Sequence, residues 1–405
     1  VISRATPSHW DLIIVGAGAS GMMCAATAGY RGLRVLIIDH APKAGAKIRI
    51  SGGGKCNFTN RWVAPVNFHS QNPHFVKSAL ARYHSSLFID LVERHSIDYE
   101  ERDHGQLFTR HGAGEIIAML RTECDWAGVE IRLNCSVNGV EYGSHPSHMP
   151  EAEETRPHYC MQTSQGSFTT PKLVVATGAL SYPKLKASDF GYRIAKQFDI
   201  PVVPLRPGLV GLSIDLPDWA ALAGISLPAT LSCQGHAWTR DLLFTHTGIS
   251  GPVVLLISNL WREGLAIGVN LLPQLDAACE VLALKAQNKE LRPWLRSHLP
   301  KRLADYYWML HPLEGKPAEL PDETLRTWAE ALQNWQITPT ATDGYGKAEV
   351  TVGGVDTQAI SSKTMEALTQ SGLYFIGEVL DVTGDLGGYN FQWAWASGVA
   401  CGMAV

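Results

Sequence analysis

The chain has 405 residues, with 34 Lys and Arg against 38 Asp and Glu and a net charge of −4. That length allows two or three domains, and 45% hydrophobic with 18% charged residues is the balance of an ordinary globular protein. The charge excludes a bulk polycation, no apolar run reaches the ~18 residues of a membrane span, and eight cysteines without C-x-x-C spacing predict free thiols in a reducing cytoplasm.

The first residues lack the apolar segment of a secretory signal, in keeping with a cytoplasmic protein. A buried-strand run, Asp11 to Val15, leads into Gly16-Ala-Gly-Ala-Ser-Gly21. Gly16, Gly18 and Gly21 stand in G-x-G-x-x-G spacing, with Ala19 and Ser20 at the start of a small-residue helix running to Tyr30. Such a turn admits a dinucleotide's pyrophosphate against backbone N–H groups and the positive end of the helix. A second strand, Arg34 to Ile38, closes on Asp39, where an acid that binds an adenosine ribose is expected.

Ala41 to Ile89 contains no Asp or Glu but carries Lys43, Lys47, Arg49, Lys55, Arg61, Lys77 and Arg82. Basic charge near the nucleotide half would attract an anion, whether a polyanionic substrate or the cofactor's own phosphates. Inside this stretch, Ser51-Gly-Gly-Gly-Lys-Cys-Asn57 allows close backbone approach to a flat ligand. Lys55 could meet a phosphate or a flavin's pyrimidine end. Cys56 is read either as a proton donor or redox thiol, or as a buried inert one.

Further on, Leu80, Tyr83, Leu87 and Leu91 make a helical stripe, Glu115 to Ala127 reads as a helix, and Val129 to Leu133 alternates as a strand. Val137 falls where related folds offer backbone groups to an adenine. The polar loop 143–157 holds His145 and His148, and His158 and Cys160 follow; their spacing fits no familiar zinc pattern, so no metal is expected. A strand from Phe168 to Ala176 ends in Ala176-Thr177-Gly178. A second acid-free stretch, Thr155 to Ser188, holds Arg156, Lys172, Lys184 and Lys186.

Near Pro201 the texture changes to Pro, Gly and short β-like runs, and 277–335 is helical and rich in tryptophan. Alternation of strands and helices resumes near Ala348, and a last strand, Leu373 to Ile376, leads into Gly377-Glu378. Gly384 to Asn390, with Gly387, Gly388, Tyr389 and Asn390, then opens a final helix through Phe391 in which Trp393 and Trp395 serve packing. The expected fold is α/β, a Rossmann-like domain in two parts (1–192 and 341–405) around an inserted substrate domain (193–340).

Loops at the carboxyl ends of parallel strands converge on one crevice, and a two-part cofactor such as FAD would use all five glycine segments. NAD(P) alone would need only the first, and there is no second G-x-G-x-x-G for a separate nicotinamide domain. His246, between Thr245 and Thr247, is read either as a general acid or as a hydrogen-bonded loop histidine.

Three segments resemble the YhiN/BaiN flavoprotein family: Ser51 to Asn57, Phe244-Thr-His-Thr-Gly-Ile-Ser-Gly-Pro252, and the run from Gly377 to Trp395. Ala348 to Val355 fits as well, whereas Leu185 to Gly191 departs from the glycine-rich stretch of many relatives. The resemblance implies noncovalent FAD, an inserted β-barrel plus helical domain, and Glu378 beside the ribityl chain. It also implies reduction of FAD by NAD(P)H and hydride transfer to an electron-poor C=C bond. For the YhiN branch the substrate implied is a uridine of large-subunit ribosomal RNA. The alternatives are a small unsaturated molecule, an amine oxidase on the same fold, or an RNA-associated module with structural FAD.

Overall fold

The computed structural model describes residues 8–143 and 158–405, so His145 and His148 lie outside the described residues. Two compact units divide the chain, Val1–Arg206 with Val350–Val405, and Pro207–Glu349. The joints expected at 192/193 and 340/341 come earlier than these. Helix Phe190–Gln197 runs through the first, burying Ile194 and Ala195 in the first unit's core. At the second, strand Ala341–Thr342 pairs with Leu212–Ser213 inside the other unit.

Five parallel strands centre the first unit, in the order Leu373–Phe375, Leu173–Val175, Leu12–Val15, Val35–Ile38, Glu130–Arg132. Helices cover both faces of such a sheet, so Leu12–Val15 and Val35–Ile38 are apolar and buried at every position. Two expected elements are broken. Pro171 has no N–H, so the expected strand 168–176 becomes Gly166–Thr170 in a mixed four-stranded sheet and Leu173–Val175 in the parallel one. The stripe from Leu80 to Leu91 splits into helices Val76–Arg82 and Ser85–Arg94, because the Tyr83 carbonyl accepts the Gln392 amide at 2.8 Å.

Two small sheets complete the framework. Asn57–Asn60, Gln106–Thr109 and Tyr99–Arg102 form an antiparallel three-stranded sheet, and Phe68–His69 pairs with Thr383–Gly384. The final helix, Tyr389–Gly402, packs on helix Ala19–Gly29 through small residues, Gly398 against the Ser20 backbone and Gly402 against Cys24 and Thr27. Increasing number on one helix meets increasing number on the other, so the two run parallel.

In the second unit seven strands form one antiparallel sheet, with Trp335–Ile337 at one edge and Ala341–Thr342 at the other. Three residues join these edges, a reach of roughly 14 Å, whereas a flat seven-stranded sheet would separate them by roughly 29 Å. The sheet must therefore curl towards closure, the barrel-like form expected. Helices Ala277–Ala286, Leu291–His298, Lys301–Leu310 and Asp322–Gln333 follow, and Trp219, Tyr307, Trp328 and Trp335 share its core. No described helix is long and apolar enough to cross a membrane.

Candidate cofactor and active site

The first glycine turn sits on the end of the neighbouring strand. Gly16 has φ +117°, and a Cβ there would lie 2.3 Å from the Ala176 carbonyl oxygen, so only glycine fits. Gly18, by contrast, begins helix Ala19–Gly29 with open space where a Cβ would stand. The Asp39 carboxylate ties the strand ends together, accepting the Ala17 and Ala41 N–H groups at 2.7 Å each. Cys135 N–H donates to the Asp39 carbonyl at 2.9 Å, which brings Val137 to the same edge two residues on. Thr177, after the neighbouring strand, has a buried hydroxyl with no partner among the described residues.

Helix Ala46–Ile50 follows, and Lys47 on it reaches the opposite strand end. Its Nζ donates to Glu378 Oε2 at 2.5 Å and to Ser181 Oγ at 2.8 Å. Glu378 Oε1 in turn accepts the Thr351 N–H at 3.1 Å and the Ser181 hydroxyl at 3.2 Å. Gly377, one residue earlier, lies against the Ser20 hydroxyl at the start of the first helix. Lys47, Ala176 to Gly178 and Gly377-Glu378 therefore converge with the first glycine turn.

The three-stranded sheet holds two more glycine segments. Gly388 has φ +93°, and a Cβ would lie 2.4 Å from the Thr59 carbonyl oxygen. Asn390 closes its turn through both ends of its amide, accepting from Gly384 N–H at 2.8 Å and donating to Gly384 O at 3.0 Å. On the same sheet the turn Ser51–Gly54 packs by Gly52 against the Phe108 ring. Gly53 and Lys55 are exposed, and Lys55 Nζ stands 4.0 Å from Glu100. Phe391 stacks on Trp395, which stacks on Phe88, and Tyr389 meets Phe68 edge-on, so the aromatic start of the last helix is packing.

Cys56 is fully buried beneath this turn, and burial pushes its thiol up to about 12. This packing fits the reading of Cys56 as a buried, inert thiol, since redox chemistry needs an accessible thiolate. His246 belongs to the other unit, exposed on the turn between strands His236–Phe244 and Gly248–Ser250. Among the described residues no cluster of His, Cys, Asp and Glu could hold a metal. Ser181, Thr351 and Asn60 are missed by sequence reasoning, for no motif or periodicity marks a polar residue that acts through partners tens to hundreds of positions away.

Both parallel helices start at a glycine, Gly18 and Gly388, and neither start has a side-chain cap. Gly398 meets Ser20, so the second start lies about eight residues, roughly 12 Å, before the first along a shared direction. Two sets of N–H groups without side-chain caps and two positive dipole ends are thus offered at separated points. The parallel sheet and its glycine turn define the class, a Rossmann-fold enzyme. Family comparison agrees: the HI0933-like protein Rossmann domain matches residues 10–404, and the chain belongs to that family of flavoprotein oxidoreductases. It is 45% identical to proteins named ribosomal RNA dihydrouridine synthase from Haemophilus influenzae and Escherichia coli K12. The matches cover 97% of this chain in both cases, and 98% and 97% of those proteins. A 3-dehydro-bile acid delta(4,6)-reductase from Clostridium scindens is 28% identical over 96% of this chain and 98% of its own.

Proposed function

We propose that the chain binds FAD noncovalently and reduces the C5=C6 bond of a uracil in ribosomal RNA, working in a reducing cytoplasm. The observation that carries this reading is the pair of uncapped parallel helix starts, in a chain 45% identical to two named ribosomal RNA dihydrouridine synthases. The residues present fit the cofactor: Gly18 leaves open space where the first helix begins, and that start has no side-chain cap of its own. FAD, when bound, supplies hydride chemistry, taking electrons from NAD(P)H and passing them to an electron-poor C=C bond.

The N–H groups of Gly18, Ala19, Ser20 and Gly21 would hold the pyrophosphate, with Gly16 shaping their turn. Asp39 and Val137 would meet the adenosine, and Ala176, Thr177 and Gly178 the chain between. Glu378, oriented by Lys47, Ser181 and Thr351, would hold the ribityl hydroxyls. Ser51, Gly53 and Lys55 would border the flat ring. At its pyrimidine end the N–H groups after Gly387 and Gly388, from Tyr389 to Phe391, favour added negative charge. For the proton needed at the second carbon the candidate is His246.

Mass spectrometry of ribosomal RNA from cells with and without this protein tests the reading. A uridine heavier by two hydrogens, present only with the protein, is the expected result. Unchanged RNA together with turnover of small enones would move the assignment to the second reading, which the 28% identical bile-acid reductase favours.

A further inference from the structure

Trp62 stands one side chain away from the turn that opens the last helix, and it is 63% exposed. Its six-membered ring rests on Gly105, where a Cβ would lie 2.9 Å from the indole Cε3. The segment is held by Asn60, itself 1% exposed. Asn60 Oδ1 accepts the Trp62 N–H at 2.9 Å, and its Nδ2 donates to the carbonyls of Gly387 and His104 at 2.9 Å each. One buried amide therefore grips both the tryptophan's backbone and the glycine turn.

Charged groups flank it. Arg61 pairs with Glu101 at 2.8 Å, Arg102 with Glu100 at 2.5 Å, and Lys55 lies 4.0 Å from that same Glu100, with Asp103 exposed on the adjoining turn. Arg49, exposed on the helix that leads into Ser51–Gly54, has no carboxylate partner among the described residues. A fixed ring open on its outer side, among guanidinium and ammonium groups, suits an unpaired base with its phosphates. An apolar protein partner would gain nothing from the charge, and a duplex would keep its bases stacked.

We propose that Trp62 is the platform on which a base of single-stranded RNA, flanking the reacting uracil, stacks. This rests on the RNA reading above and specifies how that site grips its substrate. The test is fluorescence anisotropy of a short labelled oligouridine with the FAD-loaded protein at ~50 mM salt. Trp62→Ala weakens binding roughly ten-fold, and Trp62→Phe, which keeps a ring, restores most of it. The slope of log affinity against log salt is unchanged in Trp62→Ala but falls by about 0.7 in Arg49→Ala, as loss of one phosphate contact requires. Trp126→Ala removes a tryptophan that is 68% exposed elsewhere and leaves binding unaltered. Equal binding by Trp62→Ala and the unaltered protein overturns this inference and leaves the RNA reading standing, as does a loss that Trp62→Phe fails to restore. No binding by the unaltered protein overturns both.

Discussion

With its thiol pushed up to about 12, Cys56 carries about one thiolate in 10,000 at pH 8, and burial blocks even that fraction from reagent. Cys279 is the exposed cysteine of the eight. Native labelling with iodoacetamide at pH 8 should therefore modify one thiol quickly and the rest only after unfolding; rapid labelling of Cys56 would contradict the packing described. Glu378 makes the opposite case, a carboxylate whose three donors include a cation. Replacing Glu378 with Gln leaves the Lys47 ammonium without its counter-charge, at a cost of about 1–3 kcal/mol. A lower melting temperature together with weaker flavin retention is expected. Neither Ser181 nor Thr351, the uncharged partners of Glu378, is legible in the sequence, because each is an ordinary polar residue until the fold aligns it.

Among the elements, the glycine turns separate what the fold needs from what a ligand needs. Gly16→Ala puts a Cβ 2.3 Å from a carbonyl oxygen at φ +117°, a strain of about 1–3 kcal/mol borne without any ligand. Gly18→Glu adds a side chain into space that the protein leaves open, so the fold should persist while flavin is lost. Melting curves and the visible absorbance of the two purified variants distinguish the cases: Gly16→Ala melts early, and Gly18→Glu melts normally but colourless. A yellow Gly18→Glu protein would remove the pyrophosphate assignment. The G-x-G-x-x-G spacing makes this turn readable at once: Gly16 and Gly21 answer steric demands of the fold and Gly18 leaves room for a ligand. Strand 168–176 reads as one piece because β-prone Phe168 to Thr170 and apolar Leu173 to Ala176 flank Pro171, whose missing N–H sends the two halves to different sheets.

At the scale of the whole molecule, each unit has its own continuous core, and the second closes around Trp219, Tyr307, Trp328 and Trp335. Residues 207–349 expressed alone should unfold cooperatively on heating and bind no flavin; a molten, ANS-binding product would show that this core depends on the rest of the chain. Composition, periodicity and the spaced glycines by themselves determined a dinucleotide-binding α/β protein with an insertion, because those signals report local geometry over a few turns or strands. The joints of the units, the sealing of Cys56, the Lys47–Glu378 network and the parallel offset of two uncapped helices were decided by tertiary structure. Each depends on residues far apart in the chain meeting at van der Waals or hydrogen-bond distance, which no local pattern encodes.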